Sequence, residues 1–161
     1  MRYRTFEYRH AEAVLGGNQR LKKEIERILT LLDLDLGPSF NADANRPHQQ
    51  LQRAFLRHGW RMESLVSERT ARRQYFDLFK DRVAIEIELT NRELLYRDYM
   101  RFQLAESEGS LDVGVILVPD QVRSVHPPAA RNGRPHLEDI VDDLNSLRHM
   151  VTVPIWVLAI G

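Results

Sequence analysis

The segment RQYFDLFKDRVAIEIELTN, residues 73–91, carries the clearest pattern in the chain. Its second half alternates, so that the isoleucines share one face of a β-strand while Glu86 and Glu88 share the other. Two carboxylates on one strand face repel each other. A solvated edge strand tolerates that repulsion, but a central strand needs a positive partner, and a divalent metal ion is the usual one.

The strand before this one brings a third carboxylate. A tight turn at residues 80–83 would place Asp77 opposite Glu86, so that Asp77, Glu86 and Glu88 converge within a few ångströms. Carboxylate oxygens and bound water suit Mg²⁺. A magnesium ion so placed can activate water and stabilise the charge that develops on a phosphate. The spacing is therefore typical of phosphodiester hydrolysis, although an amphipathic hairpin with its acids in water also satisfies it.

Hydrophobic periodicity on both sides of this segment predicts a mixed fold. We expect an edge strand over residues 1–9, helices over 11–34, 48–59, 91–106 and 136–149, strands near 61–67, 73–79 and 83–89, and apolar strands over 112–118 and 153–160. The expected fold class is α/β, with a central mixed sheet flanked by helices. With 161 residues, the chain is expected to form a single domain over 1–161.

The composition excludes several classes of function. The chain has no cysteine, which rules out disulfides, thiolate metal ligands and a cysteine nucleophile. It shows no signal peptide and no apolar run long enough to span a membrane, so we expect no membrane partner and a cytoplasmic location. A net charge of zero argues against a wide nucleic-acid surface. Residues 46–101, however, hold 12 basic and 8 acidic residues, a balance of +4.

Two further groups of residues have open roles. Arg92, Arg97 and Arg101 recur at helical spacing and could line a side of the third long helix that faces DNA, although acids alternate with them. The six histidines show no zinc-ligand spacing and are interpreted as polar surface or helix-end residues.

Several short stretches carry a likeness to a known family. They are Glu7-Tyr8-x-His10-Ala11, Asn18-Gln19-x-Leu21-Lys22-Lys23-Glu24, Phe76-Asp77-x-x-Lys80, Ile85-Glu86-Ile87-Glu88-x-Thr90-Asn91, Leu144-Asn145-Ser146-Leu147 and Val153-Pro154-Ile155. Together they resemble the PD-(D/E)xK nuclease superfamily. Within it, the chain is similar to the type II restriction endonucleases of the BglII family and, more distantly, to BamHI.

This resemblance implies roles for individual residues. Asp77 and Glu86 would be catalytic carboxylates that bind the metal. Glu88 falls where most of the superfamily has lysine, so it would act as a metal ligand or as a base for water. Thr90 and Asn91 fall at the start of a helix that faces DNA in the family. The loop over residues 127–135 matches a second recognition segment, in which Arg131, Asn132 and Arg134 suit guanine and adenine edges.

The resemblance also implies a function. The expected enzyme is a Mg²⁺-dependent type II restriction endonuclease that cuts double-stranded DNA at a short palindromic site. A palindrome requires a two-fold protein, so a homodimer is expected, with the first helix or residues 91–106 at its contact. A companion DNA methyltransferase is a possible partner. The alternatives are a structure-selective or repair nuclease of the same fold, or a catalytically silent DNA-binding module.

Overall fold

The structure is a computed structural model that describes residues 3–17, 19–34, 36, 45–62, 64–69, 73–120 and 133–161. Its strands are β1 (Tyr3–Tyr8), β2 (Ser64–Leu65), β3 (Tyr75–Phe76), β4 (Leu78–Lys80), β5 (Val83–Ile87), β6 (Val113–Pro119) and β7 (Ile155–Ile160). Its helices are α1 (Ala11–Gly16), α2 (Gln19–Leu31), α3 (Asn45–Leu56), α4 (Leu94–Ser107) and α5 (Leu137–Ser146). None of these helices is long and apolar enough to cross a membrane.

Five of the strands form one mixed sheet in the order β1-β7-β6-β5-β4. The three central strands, β5, β6 and β7, run parallel, and β1 and β4 pair antiparallel at the two edges. The central strands are buried along their whole length, as the continuous apolar sequences of β6 and β7 predict for those two strands. The expected central mixed sheet and the expected edge strand at the start of the chain are both confirmed.

Helices cover the sheet on both faces. The core on one face includes residues of α1, α2 and α3 packed against Ile85 and Ile87. The core on the other face includes residues of α4 and α5 packed against Ala84 and Ile116. Because side chains alternate along β5, Glu86 belongs to the same face as Ala84 and therefore lies under α4.

The hairpin of β4 and β5 has the register that the sequence predicts. Leu78 pairs with Ile85 and Lys80 with Val83, which puts Asp77 at the level of Glu86. Asp81 and Arg82 form the two-residue turn, and both have positive φ, as tight hairpin turns require. The hairpin therefore carries Asp77 to the end of β5 where the two glutamates lie.

Two elements differ from the prediction. The helix expected over residues 11–34 is two helices, because α1 ends at Gly16 and Gly17 forms its C-cap. The strand expected over residues 73–79 is divided at Asp77, and β3 pairs with β2 in a separate two-stranded sheet. The division occurs because Asp77 Oδ2 accepts a hydrogen bond from the Ile87 amide, at 2.9 Å, at the point where the chain bends.

Candidate active site

The two glutamates lie at the carboxyl end of β5, the edge of a parallel sheet where α/β proteins place ligands. Glu86 is on the strand and is 1% exposed. Glu88 directly follows the strand, and its amide donates to the Leu117 carbonyl at 2.9 Å, which extends the pairing with β6. Both carboxyl groups are therefore held by backbone pairing inside the molecule.

Two arginines of α4 neutralise these glutamates. Arg101 Nη1 lies 3.3 Å from Glu86 Oε1 and also 3.3 Å from Asp98 Oδ1. Arg97 Nη2 lies 3.6 Å from Glu88 Oε1, and its Nε lies 3.4 Å from Asp98 Oδ1. The sequence left open whether these arginines face DNA, and in the structure both contact the protein's own carboxylates.

Asp98 is the member of this cluster that sequence reasoning missed. It is fully buried on α4, and its Oδ2 has no hydrogen-bond partner among the described residues. The signal was present in the sequence, because Leu95, Asp98 and Phe102 recur at three- and four-residue spacing on the apolar side of the helix. An acid in such a stripe requires a specific partner.

Burial raises the pKa values of all three acids. The pKa of Glu86 is raised well above its ordinary value by desolvation, then by the charges of Asp98 and Asp77. Desolvation and the charge of Asp98 raise the pKa of Glu88 to about 8. Desolvation raises the pKa of Asp98 to about 6, while Arg97 and Arg101 oppose the rise. The cluster therefore retains protons near neutral pH, and an added cation would compete with them.

Asp77 approaches the cluster from the edge of the sheet. Its Oδ2 accepts the Ile87 amide at 2.9 Å and lies 3.3 Å from Nε2 of His48, which belongs to α3. Among the described residues, Oδ2 takes both contacts and Oδ1 takes none. Sequence reasoning gave His48 no role, because its distance of 29 residues from Asp77 leaves no spacing to detect.

The donor set fits a hard cation, although the site is not ready-made. In the described part of the chain, no three acidic or histidine side chains are gathered closely enough to hold a metal ion. The expected convergence of Asp77, Glu86 and Glu88 is therefore not found, because Arg97 and Arg101 draw the glutamates toward α4. The raised pKa values mean that Glu86 and Glu88 retain protons, and a divalent cation would displace those protons and bind the carboxylate oxygens.

Of the residues expected to read DNA bases, Thr90 and Asn91 lie between β5 and α4, and Arg134 lies shortly before α5. Thr90 is exposed, and Asn91 is half-buried, with its Oδ1 accepting the Glu93 amide at 2.9 Å just before α4 begins. Arg134 is half-buried. Arg131 and Asn132 fall outside the described residues.

Comparison with solved structures supports the fold. A crystal structure of the restriction endonuclease BglII complexed with a DNA 16-mer superimposes with a TM-score of 0.76 at 20% identity, over 99% of this chain and 76% of that chain. A crystal structure of free BglII gives a TM-score of 0.72 at 23% identity, over 100% of this chain and 80% of that chain. These likenesses confirm the expected α/β architecture.

Comparison of the sequence gives the family. None of the curated proteins matches the chain. The family model described as restriction endonuclease BglII/BglIII matches residues 3–160. Since that match spans almost all of the 161 residues, the chain belongs to the BglII/BglIII family and is, as its sequence predicted, a type II restriction endonuclease.

Proposed function

We propose that this restriction endonuclease hydrolyses phosphodiester bonds of double-stranded DNA at a short palindromic site and uses Mg²⁺. The observation that carries the proposal is the register of the β4–β5 hairpin, which brings Asp77 to the level of Glu86 beside a second buried glutamate. The similar BglII structure contains DNA, which supports DNA as the substrate here.

Asp77 and Glu86 are the residues that would hold the metal. The Ile87 amide and His48 orient Asp77 through Oδ2, and Arg101 orients Glu86. When bound, Mg²⁺ would polarise the scissile phosphate and lower the pKa of a water molecule. These contacts set the orientation of each carboxylate in the metal-free protein.

Glu88 is the residue that would move a proton. Its pKa of about 8 lies near neutral pH, where a carboxyl group can both take up and release a proton. In this role, Glu88 accepts the proton of the attacking water as its oxygen bonds to phosphorus. The bond from phosphorus to the leaving sugar oxygen breaks in the same step, and a solvent water protonates that oxygen. Arg97, 3.6 Å away, favours the charged form of Glu88 that must be present first.

Base recognition would come from the polar residues beside this edge of the sheet. Thr90 and Asn91 follow β5, and Arg131, Asn132 and Arg134 precede α5 in the sequence. Arginine suits guanine and asparagine suits adenine in the major groove. These five residues are our candidates for the contacts that select the sequence.

Two copies of the chain would be needed to cut both strands of a palindrome. The face of α4 that points away from the core supports a dimer contact there, since Tyr96 and Met100 lie one turn apart and are 45% and 44% exposed. A companion DNA methyltransferase would protect the host genome from such an enzyme. Both proteins would act in the cytoplasm, where the DNA is.

The decisive experiment is digestion of plasmid and phage DNA in Mg²⁺ and in EDTA, with wild type, Asp77→Asn and Glu86→Gln. We expect discrete fragments only from wild type with Mg²⁺. Asp142→Asn is the matched control for Asp77→Asn, because Asp142 is exposed on α5, and it should cut like wild type. Failure of wild type on many DNA substrates with several divalent metals would contradict the proposal.

The products distinguish the remaining alternatives. Cuts at one short palindrome identify a restriction site, whereas cuts confined to branched or damaged substrates would indicate a structure-selective or repair nuclease. Calorimetry separates both from a catalytically silent DNA-binding module, which would release no heat with divalent ions at the carboxylates. Cleavage by Glu86→Gln at the wild-type rate would remove Glu86 from the mechanism.

A further inference from the structure

The helix α3 carries a face that is basic and exposed. Residues 45–62 contain four arginines and no aspartate or glutamate. Four exposed residues follow one another at spacings of three, four and four residues, so they lie on one side of the helix. They are Arg46, Gln49 and Arg53 of α3, and Arg57, which directly follows it. We call these four residues the basic face.

The arginines of the basic face differ from those of α4 in their partners. None of Arg46, Arg53 and Arg57 forms an ion pair with any carboxylate in the part of the chain that the structure describes. Arg97 and Arg101 of α4, in contrast, are engaged by buried acids of the candidate site. The basic face of α3 therefore offers an external anion positive charge that no described carboxylate cancels.

The position of α3 places this charge beside the candidate site. Near its start, His48 lies 3.3 Å from Asp77, and just past its end the His58 carbonyl accepts a hydrogen bond from Lys80 at 2.6 Å. The helix thus runs alongside the edge strand β4. Leu51 and Phe55 on its other side are fully buried, which turns the basic face outward.

The size of the face suits a nucleic-acid backbone. A helix rises 1.5 Å per residue, so Arg46 and Arg57 lie about 16 Å apart along the axis. Phosphates of one strand of B-DNA recur about every 3.4 Å along its axis, so several can lie opposite the face. Arg97 and Arg101 are engaged by the acids around Glu86. Attraction for the flanking phosphates therefore has to come from a neighbouring surface.

We propose that the basic face binds the sugar-phosphate backbone of DNA that flanks the scissile phosphate. The assignment rests on the proposed function, since it takes double-stranded DNA as the substrate. Arginine forms bidentate hydrogen bonds with phosphate, and Gln49 adds a neutral donor. Contacts of this kind are independent of base sequence, so the basic face contributes affinity and orientation, and sequence selection comes from other residues.

The test is the salt dependence of DNA binding in EDTA, where the enzyme binds without cutting. A fluorescein-labelled 30-base-pair duplex of random sequence is titrated with wild type, Arg53→Gln, Arg57→Gln and the double variant at several salt concentrations. Each phosphate contact contributes about 0.9 to the slope of log K against log salt. We expect each single variant to lower the magnitude of the slope by about 0.9, and the double variant by about 1.8.

Two further variants control for charge and for folding. Arg148→Gln removes one exposed positive charge beyond the end of α5, away from the carboxyl edge of the sheet, and should leave the slope unchanged. The double variant Arg53→Lys with Arg57→Lys keeps the charge and should keep most of the slope. Thermal melting of each variant shows that the fold is retained.

The outcomes are distinct. A wild-type slope in the double glutamine variant would overturn the basic face as a DNA contact, and cleavage by that variant at the wild-type rate would leave the proposed function standing. An equal loss in Arg148→Gln would also overturn it, because the effect would then be one of net charge. Wild type that neither binds duplex DNA nor cuts it would overturn both proposals together.

Discussion

Arg101 of α4 provides a positive charge beside the buried Glu86 of β5. Its side chain is 14% exposed and bridges Glu86 and Asp98, with Gln74 Oε1 as a third partner at 3.2 Å. A buried charge that loses its partner is costly, so this bridge is a point where a single change has a large effect.

Replacing this arginine should destabilise the metal-free protein in a pH-dependent way. We expect Arg101→Met to lower the free energy of unfolding by about 3 kcal/mol at pH 8, where its partner Asp98 is ionised in the folded state. At pH 5 Asp98 keeps its proton, and the loss should be smaller. Urea unfolding in EDTA measures both values. Arg101→Lys retains a charge and is the control, and equal losses at the two pH values would contradict this explanation.

His48 should affect metal binding more than stability. Its imidazole contacts the carboxylate oxygen that also accepts the Ile87 amide, so His48→Ala leaves Asp77 with one of its two restraints. Loss of a partner that orients a ligand typically weakens metal affinity by about 10-fold or more. Calorimetric titration with Mg²⁺ in the absence of DNA measures this affinity.

The control for this experiment lies on the same stretch of chain. His58 is exposed, and its Nδ1 contacts the Ala54 carbonyl rather than a carboxylate. His58→Ala should therefore bind Mg²⁺ like wild type. Equal affinities in His48→Ala, His58→Ala and wild type would show that His48 does not orient Asp77.

The register of the β4–β5 hairpin could be predicted from the sequence, whereas the partners of Asp77 and Glu86 could not. The position of Asp77 opposite Glu86 was predictable, because side chains alternate between the two faces of a strand and a two-residue turn fixes the register of the hairpin. The contacts of Arg101 and His48 were not, because they depend on how α4 and α3 are rotated against the sheet. Helix rotation is set by packing among many side chains, and no local spacing records it.

Among the elements, α4 is positioned on the sheet by close contact with a glycine. A Cβ atom at Gly114 of β6 would lie 2.7 Å or less from three ring atoms of Phe102 on α4. Gly114→Ala must therefore push α4 outward, and overpacking of this kind costs about 1–3 kcal/mol. The shift would also carry Arg97 and Arg101 away from the glutamates, so we expect lower DNA cleavage as well as a lower melting temperature.

Gly16→Ala is the matched control for this prediction. Gly16 ends α1, and a Cβ atom there would meet nothing within 4 Å. Its melting temperature and its cleavage should stay close to wild type. Adding Phe102→Leu to Gly114→Ala should recover part of the stability, because a smaller side chain makes room for the new methyl group. A fully stable and active Gly114→Ala would show that α4 is not held by this contact.

The elements themselves were predictable to different degrees. The strands β6 and β7 were located closely, because continuous apolar runs bounded by loops are typical of buried parallel strands. The short sheet of β2 and β3 was not expected. Its separation from β4 depends on the hydrogen bond between Asp77 and the Ile87 amide, a long-range contact that no hydrophobic pattern shows.

For the whole molecule, the net charge is zero, but the arginines include some that are paired with acids and others that are not. Arg4, Arg82, Arg92, Arg97 and Arg101 are each paired with acids. The arginines of the basic face are not paired with any carboxylate that the structure describes. The net charge therefore says little about DNA binding, since ion pairs cancel part of the positive charge while the basic face keeps its own beside the candidate site.

The stability of the whole metal-free molecule should fall as pH rises. The buried carboxyl groups have higher pKa values in the folded chain than in the unfolded one, where a glutamate titrates near 4.5. Below that pH both states are protonated and the stabilising effect is fully present. Between about 4.5 and the folded pKa, which is about 8 for Glu88, the folded state binds more protons. The free energy of unfolding then falls by about 1.4 kcal/mol per pH unit for each proton retained.

Magnesium should reverse this trend, because a cation stabilises the carboxylates that are otherwise forced to keep protons. We expect the melting temperature in EDTA to fall from pH 5.5 to pH 8.5, and millimolar Mg²⁺ to raise it more at pH 8.5 than at pH 5.5. Glu88→Gln removes one titrating group and should flatten the fall in EDTA. A melting temperature independent of pH in EDTA would contradict the buried protonated acids. An equal Mg²⁺ effect at both pH values would contradict their role in binding the cation.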